Sequence, residues 1–203
     1  MGYMYKVFET PQSGHFFCGY YDKSPFNYNN RILLACRSSF IDRPVNSKDI
    51  LEIGYFDLNN SREFIKVSST CAWNWQQGCM LQWVLKGIDN EIIFNDRIEN
   101  QFVTVKLNIK TMERTIFPMA HYAMDVDATT LLCIDNERHF FFRPNYSYQG
   151  IENELKNQAI LKTDGIWKID VKERTVKQII TLDQLLQFKP LTNMKGSVHY
   201  VEH

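Results

Sequence analysis

A strand–turn–strand pattern repeats three times along the chain, and this repeat limits the available folds more than any other feature. Three segments, each an Asn/Asp-rich turn followed by a short apolar strand, occupy residues 27–37, 87–96 and 125–135. Each is preceded by an aromatic or apolar strand and followed by an alternating strand, a polar turn and one more strand. Alternation with a period of two residues and regularly placed turn residues predict β-strands rather than helices. The sequence therefore predicts an all-β fold.

Four antiparallel strands repeated at this interval are typical of β-propeller blades. The pattern predicts blade one at residues 15–67, blade two at 78–118 and blade three at 121–180. A β-sandwich also consists of short alternating strands, but it does not repeat the same strand order three times, so the propeller is favoured. One short helical turn is expected at residues 182–188.

The number of repeats predicts a partial ring. Residues 198–203 have the pattern of the start of a fourth blade, and residues 3–9 that of an outer strand that closes the last blade. Three blades do not close a ring, because propellers have about four to eight. We therefore expect a partial β-propeller, the N-terminal half of a longer protein with roughly six to eight blades.

The composition indicates neither a nucleic-acid partner nor a membrane span. Lys plus Arg and Asp plus Glu number 23 each, so no excess of positive charge attracts nucleic acid or anionic lipid. No apolar run reaches the length of a membrane span, and the N-terminus lacks the apolar core of a signal peptide. The five cysteines include no C-x-x-C pair, which favours reduced thiols. A cytoplasmic location is expected, and no cofactor is evident.

The longest predicted connections share one face of the predicted propeller. They are aromatic segments at residues 38–48, 68–78, 137–163 and 181–197, whereas the opposite face has tight turns. Binding residues concentrate in loops held on a rigid scaffold. The face with the long loops is therefore the predicted working face.

The second of these loops contains Trp73, Trp75, Gln76 and Gln77. Indole rings can stack on the apolar faces of sugar rings, and amides can hydrogen-bond sugar hydroxyl groups. Packing between blades is the alternative for Trp73 and Trp75, and the sequence leaves these two roles open. For Trp83, which lies within a strand, packing is favoured.

The insertion at residues 137–163 supplies Arg138, Arg143, Tyr146 and Tyr148. Arginine recognises a carboxylate or phosphate with two parallel hydrogen bonds, and tyrosine rings offer a surface for a sugar. A loop that folds back on its own aromatic residues is the alternative, and neither interpretation is favoured.

Five further candidates lie at predicted strand ends. His15, His121 and His199 fall at or near the starts of inner strands, where imidazoles can bind a metal or transfer a proton. An ordinary hydrogen-bonded role is favoured for each of them taken alone. Asn95 and Asp96 end the second strand of blade two. There, capping of the following turn is favoured over ligand binding.

Four segments together resemble a known group of proteins: HFFCGYYDKSPFN at 15–27, AWNWQQGCMLQW at 72–83, IIFND at 92–96 and RPNYSY at 143–148. They are similar to uncharacterised bacterial WD40-like β-propeller proteins associated with surface-polysaccharide gene clusters, and more distantly to oligogalacturonate lyases. The lyase resemblance implies a divalent metal held by His and Gln, and a base that removes a proton beside a uronate carboxylate. The lyase motifs do not match positions of this chain, so no catalytic residue is assigned.

These observations lead to two functional hypotheses. The first is a carbohydrate-related β-propeller that binds or modifies an acidic saccharide or glycoconjugate at the face with the long loops. The second is a non-catalytic propeller scaffold for protein partners in polysaccharide assembly. The sequence lacks G-x-S-x-G, P-loop, Rossmann and H-E-x-x-H motifs, so it gives no support to the hydrolase, NTPase, dehydrogenase and metalloprotease classes that carry them.

Overall fold

The computed structural model describes residues 8–60, 63–84, 90–152, 154 and 163–187. Its secondary structure consists mainly of β-strands, which confirms the all-β prediction. The predicted strand at 198–203, with His199, and most of the predicted strand at 3–9 lie outside the described residues. No helix within the described part of the chain is long and apolar enough to cross a bilayer.

Twelve strands in the described residues form three separate four-stranded sheets, each antiparallel and each in simple chain order. The first sheet contains β1 (His15–Phe17), β2 (Ile32–Ser38), β3 (Leu51–Asp57) and β4 (Phe64–Thr70). The second sheet contains β5 (Gln82–Trp83), β6 (Glu91–Ile98), β7 (Gln101–Asn108) and β8 (Arg114–Phe117). The third sheet contains β9 (His121–Met124), β10 (Thr130–Cys133), β11 (Gly165–Asp170) and β12 (Thr175–Thr181).

The three repeated segments of the sequence occupy equivalent positions. Strands β2, β6 and β10 each lie second in their own sheet, as the repeat predicts. Asn and Asp side chains form the turns before two of them: the Asn27 carboxamide oxygen accepts hydrogen bonds from the Arg31 and Ile32 amides, and Asp125 accepts from the Thr130 amide. The repeated turn residues therefore fix where each second strand begins.

Two hydrophobic clusters join the sheets in chain order. The first cluster lies between the first and second sheets and includes Leu34, Cys36, Leu51, Ile53, Ile92, Phe94, Val103 and Val105. The second cluster lies between the second and third sheets and includes Ile93, Phe117, Leu131, Cys133 and Ile169. Successive strand residues point to opposite faces, so Ile93 faces away from Ile92 and Phe94. The second sheet is thus buried on both faces, which explains the three consecutive apolar residues 92–94 of β6.

The insertion after β10 contains a helix where the sequence predicted an irregular loop. Helix α1 (Asn136–Phe142) begins after Asp135, whose carboxylate accepts hydrogen bonds from the Glu137 and Arg138 amides. A 3₁₀ turn follows at Pro144–Tyr146. The sequence does contain an N-terminal cap, Asp135, but the many aromatic residues after it favoured the prediction of a loop. The short helix expected near residue 182 is confirmed as α2 (Leu182–Leu186).

Loop lengths differ from the prediction on both faces. The connection from β6 to β7 is a two-residue turn, and that from β8 to β9 has only three residues. The connection from β1 to β2, predicted to be tight, spans residues 18–31 because β1 ends at Phe17. Residues just after β1 turn towards the second sheet, since a Cβ atom on Gly19 would lie 3.2 Å from the Leu81 carbonyl oxygen. In the described residues, three long loops of the predicted working face follow β2, β4 and β10. The fourth predicted connection, 181–197, begins with α2, and its residues 188–197 lie outside the described residues.

Candidate functional site

Side-chain hydrogen bonds to backbone carbonyls tie the loops after β2, β4 and β10 to one another. The Trp73 and Trp75 indole N–H groups donate to the carbonyls of Asp49 and Arg43, at 2.9 and 3.0 Å. Four further bonds join Asn74 Nδ2 to the Ser147 carbonyl, Gln149 Nε2 to the Val45 carbonyl, and Arg97 to the Gln149 and Ser47 carbonyls. The three loops therefore form one connected surface.

The loop after β2 is braced internally by Arg43. Its guanidinium makes two hydrogen bonds to the Asp49 carboxylate, at 2.6 and 2.8 Å, and lies 3.6 Å above the centre of the Phe40 ring. The hydrogen bond from Arg43 is the main reason that the pKa of Asp49 is lowered. This arrangement holds the carbonyl groups that receive both indole N–H groups.

A tight turn at residues 74–78 presents the Gln-Gln pair. Asn74 and Gly78 exchange two backbone hydrogen bonds, and the Asn74 side chain accepts a third from the Gln77 amide at 2.7 Å. Gly78 has φ of +61°, a conformation that favours glycine. The turn exposes Gln76 and buries Gln77, whose Nε2 lies 3.4 Å from the Tyr122 hydroxyl.

The two tryptophans of this loop have different environments. Trp73 is only 1% exposed and belongs to the cluster between the first and second sheets. Trp75 packs against Trp73 edge to face, with ring centroids 5.0 Å apart, and is half-buried. The packing interpretation that the sequence left open fits Trp73, whereas part of Trp75 faces a cleft. Trp83 is half-buried and packs beside the same cluster.

This cleft, which we call the Trp75 cleft, lies where the three loops meet. Its volume is about 420 Å³, within the range of small-molecule pockets. It is lined by Pro44, Val45, Trp73, Asn74, Trp75, Gln76, Pro144, Asn145, Ser147 and Gln149. None of these described lining residues carries a charge. The cleft thus combines an indole surface with amide groups in a neutral setting.

Two amides in the Trp75 cleft are accessible to a ligand. Gln76 and Asn145 are exposed, and both line the cleft. The other two amides hold the loops together, since Asn74 donates to the Ser147 carbonyl and Gln149 to the Val45 carbonyl. Hydrogen-bonding groups on a rigid frame suit hydroxyl groups of a bound molecule.

Asn95 and His121 lie in a buried hydrogen-bond network between the second and third sheets. The Asn95 amide donates to the His121 carbonyl at 2.8 Å and to the Tyr148 hydroxyl at 2.9 Å. Its oxygen accepts the His121 backbone N–H at 2.9 Å, and the His121 ring lies 3.2 Å from the Thr104 hydroxyl. All four side chains are buried, so this network is structural.

The His121 ring is expected to stay neutral well below pH 6. Burial, followed by the positive charge of Lys23, lowers the pKa of His121 to about 3. The His121 imidazole binds a proton more readily in the unfolded chain than in the folded protein. The contribution of the neutral His121 to stability is therefore complete above about pH 6.5 and decreases as the pH falls towards 3. Nitrogen chemical shifts of the His121 ring should show no titration between about pH 8 and pH 4.5. A midpoint near 6.5 would contradict the buried position.

Asp96 fixes the start of the tryptophan loop. Its Oδ1 accepts hydrogen bonds from the Thr70 hydroxyl and from the Arg97 amide, both at 2.8 Å, and from the Cys71 amide at 3.4 Å. Strand β6 continues to Ile98, so Asn95 and Asp96 do not cap the following turn, and that expectation is wrong. The carboxylate instead joins β6 to the end of β4.

Arg138 is part of the protein interior. It is fully buried, its Nε lies 3.1 Å from Asp164 Oδ2, and its guanidinium lies 4.8 Å from the centre of the Phe142 ring. Arg143 ends helix α1 and is exposed. The predicted carboxylate recognition by Arg138 would require breaking a buried ion pair. Of the two predicted tyrosines, Tyr146 is 40% exposed and Tyr148 is buried.

The two candidate histidines that the structure describes have different environments. His15 is exposed and begins β1, where it pairs with Ser38, whereas His121 is buried. In the described segments, no group of three or more His, Cys, Asp or Glu side chains is arranged to hold a metal ion.

Several cleft residues were not identified from the sequence. Pro44, Val45, Asn145, Ser147 and Gln149 line the Trp75 cleft because the loops after β2 and β10 both reach the tryptophan loop. Their only sequence signal was their place in two long connections, which does not distinguish one polar loop residue from another.

Comparisons with known proteins give one structural match. No family model and no curated protein matches the sequence. A solved structure of the AtxE2 isopeptidase without ligand matches with a TM-score of 0.44 and 10% sequence identity, over 86% of this chain and 32% of that chain. The chain thus spans about a third of the length of the isopeptidase chain. A match at this level carries no argument about function.

Proposed function

We propose that the protein is a carbohydrate-binding β-propeller and that the Trp75 cleft binds a sugar ring. The observation that carries the proposal is the Trp75 indole, partly exposed in a neutral cleft beside the amides of Gln76 and Asn145. An aromatic surface with a few placed polar groups is the usual composition of a small-ligand pocket.

The propeller arrangement is supported by strand order and packing. Each sheet is a four-stranded antiparallel meander, and the sheets follow one another along the chain. Neighbouring sheets pack through their faces, the first on the second and the second on the third. Propeller blades combine these properties. In this proposal, β1, β5 and β9 are the inner strands.

The neutral lining favours an uncharged sugar over the acidic saccharide expected from the sequence. Recognition of a uronate carboxylate calls for a cation in the site. Arg138 is paired with Asp164 and Arg43 with Asp49, and the exposed Arg143 is not among the described lining residues of the Trp75 cleft. Hydroxyl groups, in contrast, match the donors and acceptors that the Gln76 and Asn145 amides supply.

Binding should be measured by calorimetry with three series of β- or α-1,4-linked oligosaccharides: glucose, N-acetylglucosamine and galacturonate. We expect a neutral series to bind, and Trp75→Ala and Gln76→Ala each to weaken its binding about tenfold, the size of one aromatic or hydrogen-bonding contact. Gln76→Ala should leave the melting temperature unchanged, because this side chain is exposed.

Trp75→Phe is the matched control for loss of the loop anchor. It keeps an aromatic ring in the cleft but removes the indole N–H that donates to the Arg43 carbonyl. Binding close to wild type in Trp75→Phe, together with weak binding in Trp75→Ala, assigns the effect to stacking. Absence of binding in all three series would refute the proposal, and tighter binding of galacturonate would restore the acidic saccharide.

A scaffold for protein partners is the second candidate. Exposed apolar side chains on the same insertion, such as Phe141 at 40% exposure and Tyr146, favour it. Phe and Tyr are typical of protein interfaces. Failure of every saccharide series to bind would leave this candidate as the better account.

A further inference from the structure

Two more clefts are lined in part by the insertion after β10. The second, which we call the Phe141 groove, has a volume of about 490 Å³ and is lined by Glu137, Phe140, Phe141, Pro144, Gly150, Ile151 and Glu152. The third, the Trp167 cleft, has a volume of about 220 Å³ and includes Gln101, Asp135, Asn136, Glu137, Thr163 and Trp167 in its lining.

Shared residues place the three clefts in series. Pro144 lines both the Trp75 cleft and the Phe141 groove. Glu137 lines both the Phe141 groove and the Trp167 cleft. Because Glu137 and Pro144 belong to α1 and to the 3₁₀ turn that follows it, the insertion contributes to the lining of all three clefts. An indole lies at each end, Trp75 at one and Trp167 at the other.

The chemistry of the lining repeats from cleft to cleft. Each cleft has at least one aromatic or apolar surface together with oxygen or amide groups, and Phe141 is 40% exposed. Among the described residues, neither lysine nor arginine lines any of the three clefts, whereas Asp135, Glu137 and Glu152 line the last two. Negative charge along this path repels a polyanion, because like charges that approach each other destabilise binding.

We propose that the three clefts form one extended groove that binds an uncharged oligosaccharide chain, with Trp75, Phe141 and Trp167 as successive contact points for sugar rings. This inference rests on the proposed carbohydrate-binding function and adds to it the substrate class, a chain of several units rather than a single sugar. The repeated combination of aromatic surface and polar groups along a continuous path carries it.

Chain-length dependence tests the inference. We expect the affinity for the β-1,4-glucose or β-1,4-N-acetylglucosamine series to rise at least tenfold between two and six sugar units, as further rings reach the Phe141 groove and the Trp167 cleft. Phe141→Ala should weaken binding of the six-unit chain about tenfold and leave the two-unit chain unchanged. Trp75→Ala should weaken the binding of chains of every length.

Val126→Ala is the matched control. Val126 is 77% exposed and lies in the turn between β9 and β10, outside the three clefts. The Val126→Ala variant should bind oligosaccharides of every length with the affinity of the wild-type protein. Fluorine NMR of protein labelled with 5-fluorotryptophan gives a readout that does not depend on the Phe141→Ala variant. The Trp167 signal should shift with the six-unit chain and not with the two-unit chain.

The outcomes separate the two proposals. Equal affinity for two and six units, with a Trp167 signal that never shifts, overturns the extended groove and leaves the Trp75 cleft as a single-sugar site. Absence of binding at every length overturns the carbohydrate-binding function itself. If galacturonate chains bind most tightly, the acidic lining does not repel a polyanion, and the inference is overturned.

Discussion

Replacement of Arg138 by methionine is expected to lower the free energy of unfolding by about 3–5 kcal/mol. The Arg138 side chain is 0% exposed and its partner Asp164 is 1% exposed, with Nε and Oδ2 3.1 Å apart. Removal of the guanidinium leaves a carboxylate in the interior without its cation, and an uncompensated buried charge costs more than the ion pair contributes. Urea unfolding followed by circular dichroism measures this difference.

Arg143 provides the matched control in the same insertion. It is exposed, so Arg143→Met should change the free energy of unfolding by no more than about 0.5 kcal/mol. The double variant Arg138→Met, Asp164→Leu removes both charges and should recover most of the lost stability. If Arg138→Met is as stable as Arg143→Met, the ion pair is not structural and Arg138 is available to a carboxylate ligand.

Replacement of Trp73 by alanine is expected to cost about 3–5 kcal/mol of stability. Trp73 is 1% exposed, packs on Phe40 and Trp75, and donates its indole N–H to the Asp49 carbonyl. Truncation creates a cavity between the first two sheets and leaves that carbonyl without its donor. Thermal and urea unfolding measure the loss.

Trp73→Phe distinguishes packing from the hydrogen bond. It retains most of the ring volume, so it should cost clearly less than Trp73→Ala. A loss below about 1 kcal/mol in Trp73→Ala would show that the indole does not support the sheet interface. Trp73, rather than Trp75, would then be the better candidate for a stacking surface.

The strand order was predictable because its causes are local. Period-two alternation and the turn residues Asn27 and Asp125 act over a few positions, and their side chains hydrogen-bond amides four or five residues ahead. Each repeat therefore specifies its own sheet. The predicted equivalence of β2, β6 and β10 follows from interactions that the sequence displays directly.

The roles of the candidate residues depended on distant partners. Arg138 is neutralised by Asp164, which is far along the chain, and Asn95 is bonded to Tyr148, 53 positions away. No local pattern indicates such pairs. For this reason the sequence did not settle the roles of the candidate residues Arg138, Asn95 and His121, whose side chains are buried and bonded to distant partners.

The position of the Trp75 cleft was only partly predictable. The sequence predicted that the tryptophan loop and the insertion share one face, and in the structure Asn74 of the loop bonds to Ser147 of the insertion, 73 positions away. It did not identify Asn145 as a lining residue, nor separate the exposed Gln76 from the buried Gln77. The difference in exposure between Gln76 and Gln77 arises from the tight turn that the backbone hydrogen bonds between Asn74 and Gly78 close. The sequence alone does not show how this turn is oriented in the fold.

Fluorine NMR of protein labelled with 5-fluorotryptophan tests the central claim most directly. The chain contains four tryptophans, and single Trp→Phe variants assign the four signals. On addition of a neutral two-unit sugar, the account predicts a shift of the Trp75 signal, while the signals of Trp83 and Trp167, which do not line the Trp75 cleft, stay in place. A bound sugar that leaves the Trp75 signal unchanged would contradict the assignment of this cleft as the carbohydrate site.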